Sequence, residues 1–372
     1  MTDSILLDIL QLIRTDGIGP VTFYEYVRRA GNVKKALELA GRKKSVYPRE
    51  LAETELATAQ EKNVKIIAYC DEIYPKRLLE LNDAPPIIYA LGNIDLLKYT
   101  QAIAIVGARN ASIAGRKMAS HLAYDLTLNQ VMVISGMARG IDSASHKGAL
   151  FANEQKGVTI AVVGTGVDEV YPKENEELYR QICKQGLIIS EFAMGTKAQI
   201  SNFPRRNRII SALSDGVVVV EAGLHSGSLI TARLALEQGK EVFAVPGSPT
   251  ENRAAGSNQL IKEGAVLTES SADILNVLSM QSARHIKKLK IAELPLDKPQ
   301  NNVNISNRNS TNITPEMEEC NLLNFISYEG VDIDELLRVC GLSQAEFFVQ
   351  LTELEFLGKI ERQVGNKVAK IK

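Results

Sequence analysis

Short runs of apolar residues recur through the middle of the chain, and segments with helical spacing separate them. Six runs have few polar interruptions: Ala102–Gly107, Val131–Gly136, Val158–Gly164, Leu187–Glu191, Gly216–Ala222 and Glu241–Gly247. The intervening helical segments include Gly115–Asn129, Asp142–Ala152 and Ser228–Gln238. Continuously apolar strands joined by helices are typical of a parallel sheet covered on both faces. The pattern therefore predicts an α/β fold with an extended Rossmann-like, doubly wound and mainly parallel sheet.

The first 65 residues have helical rather than strand periodicity. Apolar residues at Ile5, Ile9 and Leu12 predict one helix, and further helices are expected over Val21–Ala30 and Val33–Ala40. The glycine-containing turn between the first two helices, residues 15–20, is typical of a SAM or helix-hairpin-helix domain, whose exposed backbone N–H groups can meet a DNA phosphate. A small helical bundle with a tight turn explains the same residues, so both readings stay open.

The composition changes again after residue 283. Residues 301–312 hold six asparagines and few apolar residues, which indicates a flexible linker. Beyond Pro315, helices are expected over Met317–Tyr328, Asp332–Cys340 and Ser343–Leu357, followed by a hairpin of Lys359–Gln363 and Lys367–Ile371. Three helices and a hairpin predict a winged helix. The expected domains are residues 1–65, 66–283 with its core at 101–280, a linker at 284–314, and 315–372.

Composition excludes several classes of protein. No segment approaches the roughly 20 apolar residues that span a bilayer, and the N-terminus lacks the pattern of a signal peptide. A cytoplasmic protein without a membrane partner is expected. The four cysteines and four histidines are dispersed, so we expect reduced thiols and no metal site. The formal net charge is −1, so any claim of nucleic-acid binding must depend on local clustering of charge.

Such clustering occurs where the predicted strands end. The carboxyl ends of parallel strands meet at one edge of a sheet, and ligands bind there near the topological switch point. Glycines allow backbone N–H groups to approach an anion, and arginine offers a bidentate fork for phosphate oxygens. The candidate polyanion-binding residues at this edge are Gly107, Arg109, Gly136, Arg139, Lys173, Arg205, Arg206, Arg208, Ser226, Gly227 and Ser228.

Competing readings of these loops need motifs that the chain lacks. Neither G-x-G-x-x-G nor G-x-x-x-x-G-K-[ST] occurs, so no nucleotide cofactor is expected. Asp142 and Asp168 could be catalytic, but an Asp that opens a helix is more often an N-cap. Glu191 and Glu221 could act as general bases, although pairing with nearby arginines is favoured.

Six stretches in these loops and their neighbours closely resemble the DprA/Smf family of DNA-processing proteins. They are IVGARNAS (105–112), SGMARGIDSASHKGAL (135–150), GTGVDEVYPKEN (164–175), FPRRNRIIS (203–211), SGSLITARLALEQGKEVFAVPG (226–247) and GSNQLIKEGA (256–265). The resemblance implies a non-enzymatic homodimer that binds single-stranded DNA, protects it in natural transformation and helps to load RecA. It also implies that Arg109 and Lys173 contact the DNA.

The same resemblance places the dimer interface around Leu260, Ile261 and Leu267, although core burial explains these apolar residues equally well. The alternative function is a nucleotide-processing enzyme of the lysine-decarboxylase-like phosphoribohydrolase type. That superfamily has a similar glycine–arginine loop together with P-G-G-x-G-T-x-x-E, whereas this chain has Ser226-Gly227-Ser228-Leu229-Ile230-Thr231 and lacks the glutamate.

The winged-helix tail lacks the positive charge that is typical of a DNA-binding domain. Residues 315–372 contain 6 Lys and Arg against 11 Asp and Glu, and the expected recognition helix Ser343–Leu357 contains no Lys or Arg. Phosphates would repel such a helix. We therefore expect the tail to be a protein-interaction or regulatory module.

Overall fold

A computed structural model describes residues 3–152 and 159–280, together with residues 322, 326, 331–333, 336–337, 340, 344–363 and 367–371 of the C-terminal part. Contacts divide the chain into two units, Met1–Pro295 and Leu296–Lys372. Among the described residues, no helix is both long enough and apolar enough to cross a bilayer.

The first unit begins with four helices: α1 (Asp3–Arg14), α2 (Pro20–Ala30), α3 (Val33–Gly41) and α4 (Arg49–Glu61). Their apolar faces, including Ile9 and Phe23, share a buried cluster with strand residues of the following sheet. Pro20 opens α2, where its missing N–H costs nothing, and Gly31 ends it with a positive φ of 84°. The predicted helical N-terminal domain is thus present and packs directly on the sheet.

One nine-stranded sheet forms the centre of the described part of this unit. Its strands are β1 (Lys65–Ala68), β2 (Ile87–Gly92), β3 (Ala102–Val106), β4 (Met132–Ser135), β5 (Thr159–Val162), β6 (Leu187–Ser190), β7 (Gly216–Val219), β8 (Glu241–Ala244) and β9 (Val266–Leu267). The spatial order is β1-β2-β6-β5-β4-β3-β7-β8-β9. The seven neighbouring strands β6, β5, β4, β3, β7, β8 and β9 are parallel to one another. Strand β2 is antiparallel to both β1 and β6.

Helices cover both faces of the sheet. They are α5 (Ile113–Leu128), α6 (Ile141–Ala152), α7 (Glu176–Gln185), α8 (Asn202–Leu213), α9 (Gly227–Glu237) and α10 (Ala255–Lys262), with a further helical stretch over residues 271–280. Alternate residues of β3 enter different cores: Ala104 lies in one buried cluster, while Ile103 and Ile105 lie in another. This arrangement confirms the doubly wound, mainly parallel fold.

The topological switch lies between β3 and β7. From β3 the chain proceeds through β4 and β5 to β6 on one side, and it then returns to β7 and continues through β8 to β9 on the other side. The connections that follow β3 and β7 therefore diverge and leave a crevice at the carboxyl ends of these strands.

The second unit contains β10 (Val331–Asp332), α11 (Gln344–Phe356), β11 (Ile360–Gln363) and β12 (Lys367–Lys370). Its strands form an antiparallel sheet in the order β10-β12-β11, and Phe347 and Leu351 of α11 are buried in its core. The helix and the two hairpin strands match the winged-helix prediction. Most of the two earlier predicted helices, the turn at residues 365–366 and the linker at 284–314 lie outside the described residues. The predicted domain boundaries stay predictions.

Candidate nucleic-acid interface

A cleft of about 510 Å³ opens at the switch between β3 and β7. A smaller pocket adjoins it, and the two share Arg109, Ala138, Tyr171, Phe203 and Arg206. Eight of the eleven candidate residues line one or both: Gly107, Arg109, Gly136, Arg139, Arg206, Ser226, Gly227 and Ser228. Lys173, Arg205 and Arg208 are absent from this lining.

The loop after β3 carries Arg109 and is fixed at both ends by Glu221. The backbone N–H of Ala108 donates to the Glu221 carbonyl at 2.7 Å, and the Glu221 carboxylate accepts the N–H of Ser112 at 2.9 Å and its hydroxyl. Ser112 in turn accepts the N–H of Gly115 and caps α5. Glu221 therefore anchors this loop through Ser112, and the expectation that it pairs with an arginine is wrong.

Arg109 itself is exposed. Its guanidinium lies 5.3 Å from the centre of the Phe203 ring, and the Phe203 and Tyr171 rings are 5.5 Å apart. Among the described residues, no carboxylate lies within salt-bridge distance of Arg109. Its charge is therefore available to a ligand in either pocket.

Arg206 is buried beneath the loops. It donates hydrogen bonds to the carbonyl oxygens of Gly136 and Val162, at the ends of β4 and β5, and is 4% exposed. Burial lowers the pKa of its guanidinium to about 10, an effect that nearby Asp142 opposes. A Cβ at Gly136 would overlap this guanidinium, so the glycine is needed for a close approach. Arg206 therefore supports the loops from below by hydrogen bonds to their backbone, and part of its side chain also lines both pockets.

Asp142 lies in the first turn of α6 but does not cap that helix. Its carboxylate accepts the N–H groups of Gly136 and Ala138 at 3.2 and 3.3 Å, in the loop before the helix. Burial raises the pKa of the Asp142 carboxyl above its ordinary value, while Arg206 and the two N–H donors act in the opposite direction. The N-cap expected at Asp142 is therefore wrong.

Asp168 also differs from its expected role as an N-cap. It accepts a hydrogen bond from Lys62 at the end of α4 at 2.7 Å, and another from the Gly195 N–H at 2.8 Å. Partial burial acts to raise the pKa of its carboxyl, but these donors outweigh burial and the pKa is lowered. Asp168 joins the N-terminal helices to the loops.

Arg208 faces away from the cleft. Its guanidinium contacts Glu191 at 2.5 Å and Asp83 at 2.9 Å, and its side chain is 9% exposed. The expected pairing of Glu191 with an arginine is confirmed. Burial raises the pKa of the Glu191 carboxyl, and Arg208 opposes that effect. Because two carboxylates already neutralise Arg208, it is not a free cation of the interface.

The remaining cations are more accessible. The side chain of Arg205 is 54% exposed, lies 5.2 Å from the Phe192 ring centre and approaches Glu191 only at 3.9 Å. The Arg139 side chain is 62% exposed and 3.8 Å from Glu174. Lys173 is exposed and follows Pro172, which lines the smaller pocket. Within the described ranges no carboxylate pairs with Lys173.

Sequence reasoning missed two kinds of residue. Asn175 is buried and donates to the carbonyl oxygens of Met137 and Ala138, so it fixes the Lys173 loop against the loop after β4. Ile200 and Ile230 line the cleft although they are 90% and 41% exposed. No local pattern marks either kind, because their roles depend on loops that are distant in sequence.

Helix starts complete the wall of the cleft. Ser226 caps α9 by accepting the Ser228 N–H, and its hydroxyl also bonds to that of Ser228 at 2.8 Å. Gly227 is exposed at the first position of α9. Phe203 and Pro204 bring the first turn of α8 to the same cleft. Helix N-termini favour anions through their unpaired N–H groups and partial positive charge.

The basic residues beside the glycine turn near the N-terminus already contact other parts of the protein. Arg14 pairs with Glu55 at 3.0 Å and donates to the Tyr89 hydroxyl at 2.6 Å. The Lys44 ammonium lies against Gly17 and donates to the Asp16 carbonyl at 2.9 Å. Arg14 therefore joins the helices to the sheet.

Comparisons with known proteins identify the family. The profile of DNA recombination-mediator protein A matches residues 65–279, which is more than half of the chain. The chain belongs to the DNA recombination-mediator protein A (DprA) family. Profiles for a DprA-like N-terminal HHH domain and a DprA winged helix domain match residues 3–58 and 308–366. The resemblance to the DprA/Smf family is confirmed, as is the helix-hairpin-helix class of the N-terminal domain.

Two named relatives each match more than half of the chain. Protein Smf of Escherichia coli is 37% identical over 324 residues, which are 87% of this chain and 82% of that protein. DprA of Streptococcus pneumoniae is 44% identical over 205 residues, which are 55% and 71% of the two chains. The function of the family is that of a DNA-processing recombination mediator, and the comparisons do not favour the phosphoribohydrolase alternative.

Two solved structures share the fold. The X-ray structure of S. pneumoniae DprA covers 74% of this chain and 98% of its own, with a TM-score of 0.62 and 33% identity. DprA of Helicobacter pylori covers 59% and 96%, with a TM-score of 0.53 and 30% identity. The latter structure is described as showing a single-stranded DNA binding mode of that protein.

Proposed function

We propose that this DprA family member binds single-stranded DNA in the cleft between β3 and β7, without catalysing a reaction on it. The observation that carries the proposal is the exposed Arg109, which lies where the two pockets meet and has no carboxylate partner among the described residues. A phosphate there would gain a bidentate, charge-assisted contact. Lys173 extends the positive charge beside the smaller pocket.

The surroundings of Arg109 support a phosphate ligand further. Arg206 places a second guanidinium behind the pocket, and its burial against Asp142 keeps it fixed. The starts of α8 and α9 add N–H groups and partial positive charge at the opposite wall. Phosphate contacts of this kind are independent of sequence.

The aromatic rings favour an unpaired strand over a duplex. Tyr171 is 44% exposed and packs on Phe203, which also lies under Arg109. An unpaired base can stack on the open face of Tyr171, whereas the bases of a duplex are already stacked on one another. Phosphate contacts provide most of the affinity, because few aromatic rings line the cleft.

Two further parts of the proposal come from the family resemblance. The protein acts in the cytoplasm as a homodimer, protects the bound strand and helps to load RecA onto it in recombination or transformation. For the dimer, Leu267 is a suitable contact, because it is 47% exposed on β9 at the edge of the sheet. Leu260 is only 5% exposed and Ile261 packs on the core, so the main role of both residues is to stabilise the fold.

Substitution of the free cations tests the cleft. Arg109→Ala and Lys173→Ala should each lower the affinity for a 20-nucleotide single strand at least tenfold, measured by fluorescence anisotropy. Each should also make the dependence of log K on log salt less steep by about 0.7 per lost phosphate contact. Lys184→Ala, on the exposed face of α7, is the matched control and should change neither quantity. Normal binding by the variant that combines Arg109→Ala with Lys173→Ala would exclude this cleft as the DNA-binding site. Turnover of a nucleoside monophosphate by the native protein would exclude a non-catalytic role.

A further inference from the structure

A second concentration of positive charge lies on the N-terminal helices. Residues 28–44 contain seven Lys and Arg but only one acidic residue, Glu38, in a chain whose net charge is −1. Six of these cations are exposed: Arg28, Arg29, Lys34, Lys35, Arg42 and Lys43. These six residues are called the basic band below.

Local structure brings the band together in two groups. Arg28 and Arg29 occupy the last turn of α2, and Lys34 and Lys35 occupy the first turn of α3. Only Gly31 and Asn32 separate the two helices, since Gly31 ends α2 and Asn32 caps α3. The second group, Arg42 and Lys43, follows the other end of α3, since Arg42 is the residue that ends this helix.

The band has no partner within the described structure. No carboxylate among the residues described lies within salt-bridge distance of any of its six cations. Exposed cations elsewhere are often paired: on α7, for example, Arg180 contacts Glu176 at 2.6 Å. The charge of the band is therefore open to an external anion.

The position of Lys34 and Lys35 is unfavourable for the stability of α3. The first turn of a helix carries a partial positive charge, so a cation there destabilises the helix by roughly 0.3–1 kcal/mol. Acidic residues are absent from this turn. Natural proteins break such local preferences mainly at functional sites and compensate for them elsewhere in the structure. A bound anion would neutralise both the side chains and the helix terminus.

We propose that the basic band is a second DNA contact, separate from the cleft, which binds the sugar-phosphate backbone of duplex DNA. The duplex is favoured over a single strand because none of the six cations stacks on an aromatic ring in the described structure. The proposal depends on the DNA-processing role of the family and not on the cleft.

The band is also distinct from the Gly17–Gly19 turn, against which Lys44 already packs.

The test uses the full-length chain carrying R28Q, R29Q, K34Q and K35Q. The probes are a blunt 20-base-pair hairpin duplex and a 20-nucleotide single strand, each measured by anisotropy at two salt concentrations. We expect the affinity for the duplex to fall at least tenfold and its salt slope to become shallower by at least two phosphate contacts, about 1.8. The affinity for the single strand should stay within twofold.

A matched control removes the same charge elsewhere, with R180Q, R233Q, K147Q and K184Q on exposed sites of α6, α7 and α9. It should keep duplex affinity within twofold. Thermal unfolding of the band variant should occur at a similar temperature, because two unfavourable cations leave the start of α3 and two favourable cations leave the end of α2. Equal loss in both variants, or no loss in the band variant, would overturn the proposal. Arg109→Ala tests the cleft independently, because its effect is measured on the single strand.

Discussion

At the scale of single residues, three neighbouring arginines have three different roles. Arg205 is exposed beside the cleft, Arg206 is buried under its loops, and Arg208 is paired with two carboxylates. Helical periodicity explains the difference, because Arg206 falls on the same stripe of α8 as Ile209, Ile210 and Leu213, which faces the sheet. Charge counting along the sequence could not separate them.

Gly140 connects two loops of the cleft and supplies a prediction about stability. Its φ is +78°, and a Cβ would overlap the carbonyl oxygen of Ala108, next to Arg109. Gly140→Ala should lower the free energy of unfolding by about 2–5 kcal/mol, which combines left-handed strain with steric overlap. Gly239→Ala is the control, since Gly239 has φ +68° but open space around it, and should cost only about 1–2 kcal/mol. Urea denaturation measures both, and equal losses would contradict the proposed contact.

His146 makes stability depend on pH. Burial, reinforced by Arg206, lowers the pKa of its imidazole from 6.5 to about 3. Below pH 6.5 the His146 imidazole binds a proton in the unfolded chain but not in the folded chain. The contribution of His146 to the free energy of unfolding therefore declines from pH 6.5 towards pH 3. Asp142 and Glu191 have raised pKa values and act in the opposite direction between their unfolded and folded pKa values.

The contribution of His146 is isolated by comparison with His146→Gln. Across pH 7 to 4.5, the free energy of unfolding of the native chain should fall relative to that of the variant, by at most about 1.4 kcal/mol per pH unit. Chemical denaturation at several pH values measures this difference. Parallel curves for the two proteins would show that the folded imidazole titrates normally.

At the scale of elements, continuous apolar runs predicted the six parallel strands from β3 to β8 within a few residues at each end. The same reasoning missed β1 and β2, which add antiparallel strands beyond β6. It also gave no helix at α8, because cations and Pro204 interrupt the apolar pattern there. Pro204 lies in the first turn of α8, where proline is tolerated. Only the burial of α8 against the sheet shows why this polar segment is a helix.

The winged-helix tail leads to a prediction at this scale. Helix α11 contains Glu346, Glu353 and Glu355 and no Lys or Arg, so it should repel phosphates. A chain ending at Gln300 should bind the 20-nucleotide strand within about threefold of the full chain in anisotropy measurements. Arg109→Ala in the shortened chain should still reduce binding at least tenfold. Loss of most of the affinity on truncation alone would instead place the principal contact in the tail.

At the scale of the whole molecule, the described part of the first unit connects its N-terminal helices to the interface. Lys62, the residue after α4, donates a hydrogen bond to Asp168, which also accepts the Gly195 N–H, and Arg14 of α1 donates to Tyr89 on β2. The helices are therefore held against the sheet and its loops by one half-buried and two exposed polar contacts.

The proposed homodimer gives a prediction for assembly. Leu267→Arg places a charge on the exposed edge strand β9 and should convert the dimer to a monomer in sedimentation velocity, with little change in unfolding temperature. Leu260→Ala, at a core position, should instead lower the free energy of unfolding by about 2–5 kcal/mol and leave the folded fraction dimeric. An unchanged dimer in Leu267→Arg would exclude β9 from the interface.

The sequence by itself determined the architecture, the order of the glycine and arginine loops and the family. These properties follow from apolar periodicity and from motifs of adjacent residues, both of which are local. Only the tertiary structure decided which cations face a ligand. It buried Arg206, paired Arg208, left Arg109 open and made Glu221 an anchor through Ser112. Burial and ion pairing depend on contacts between residues far apart in the chain, and no local pattern records them.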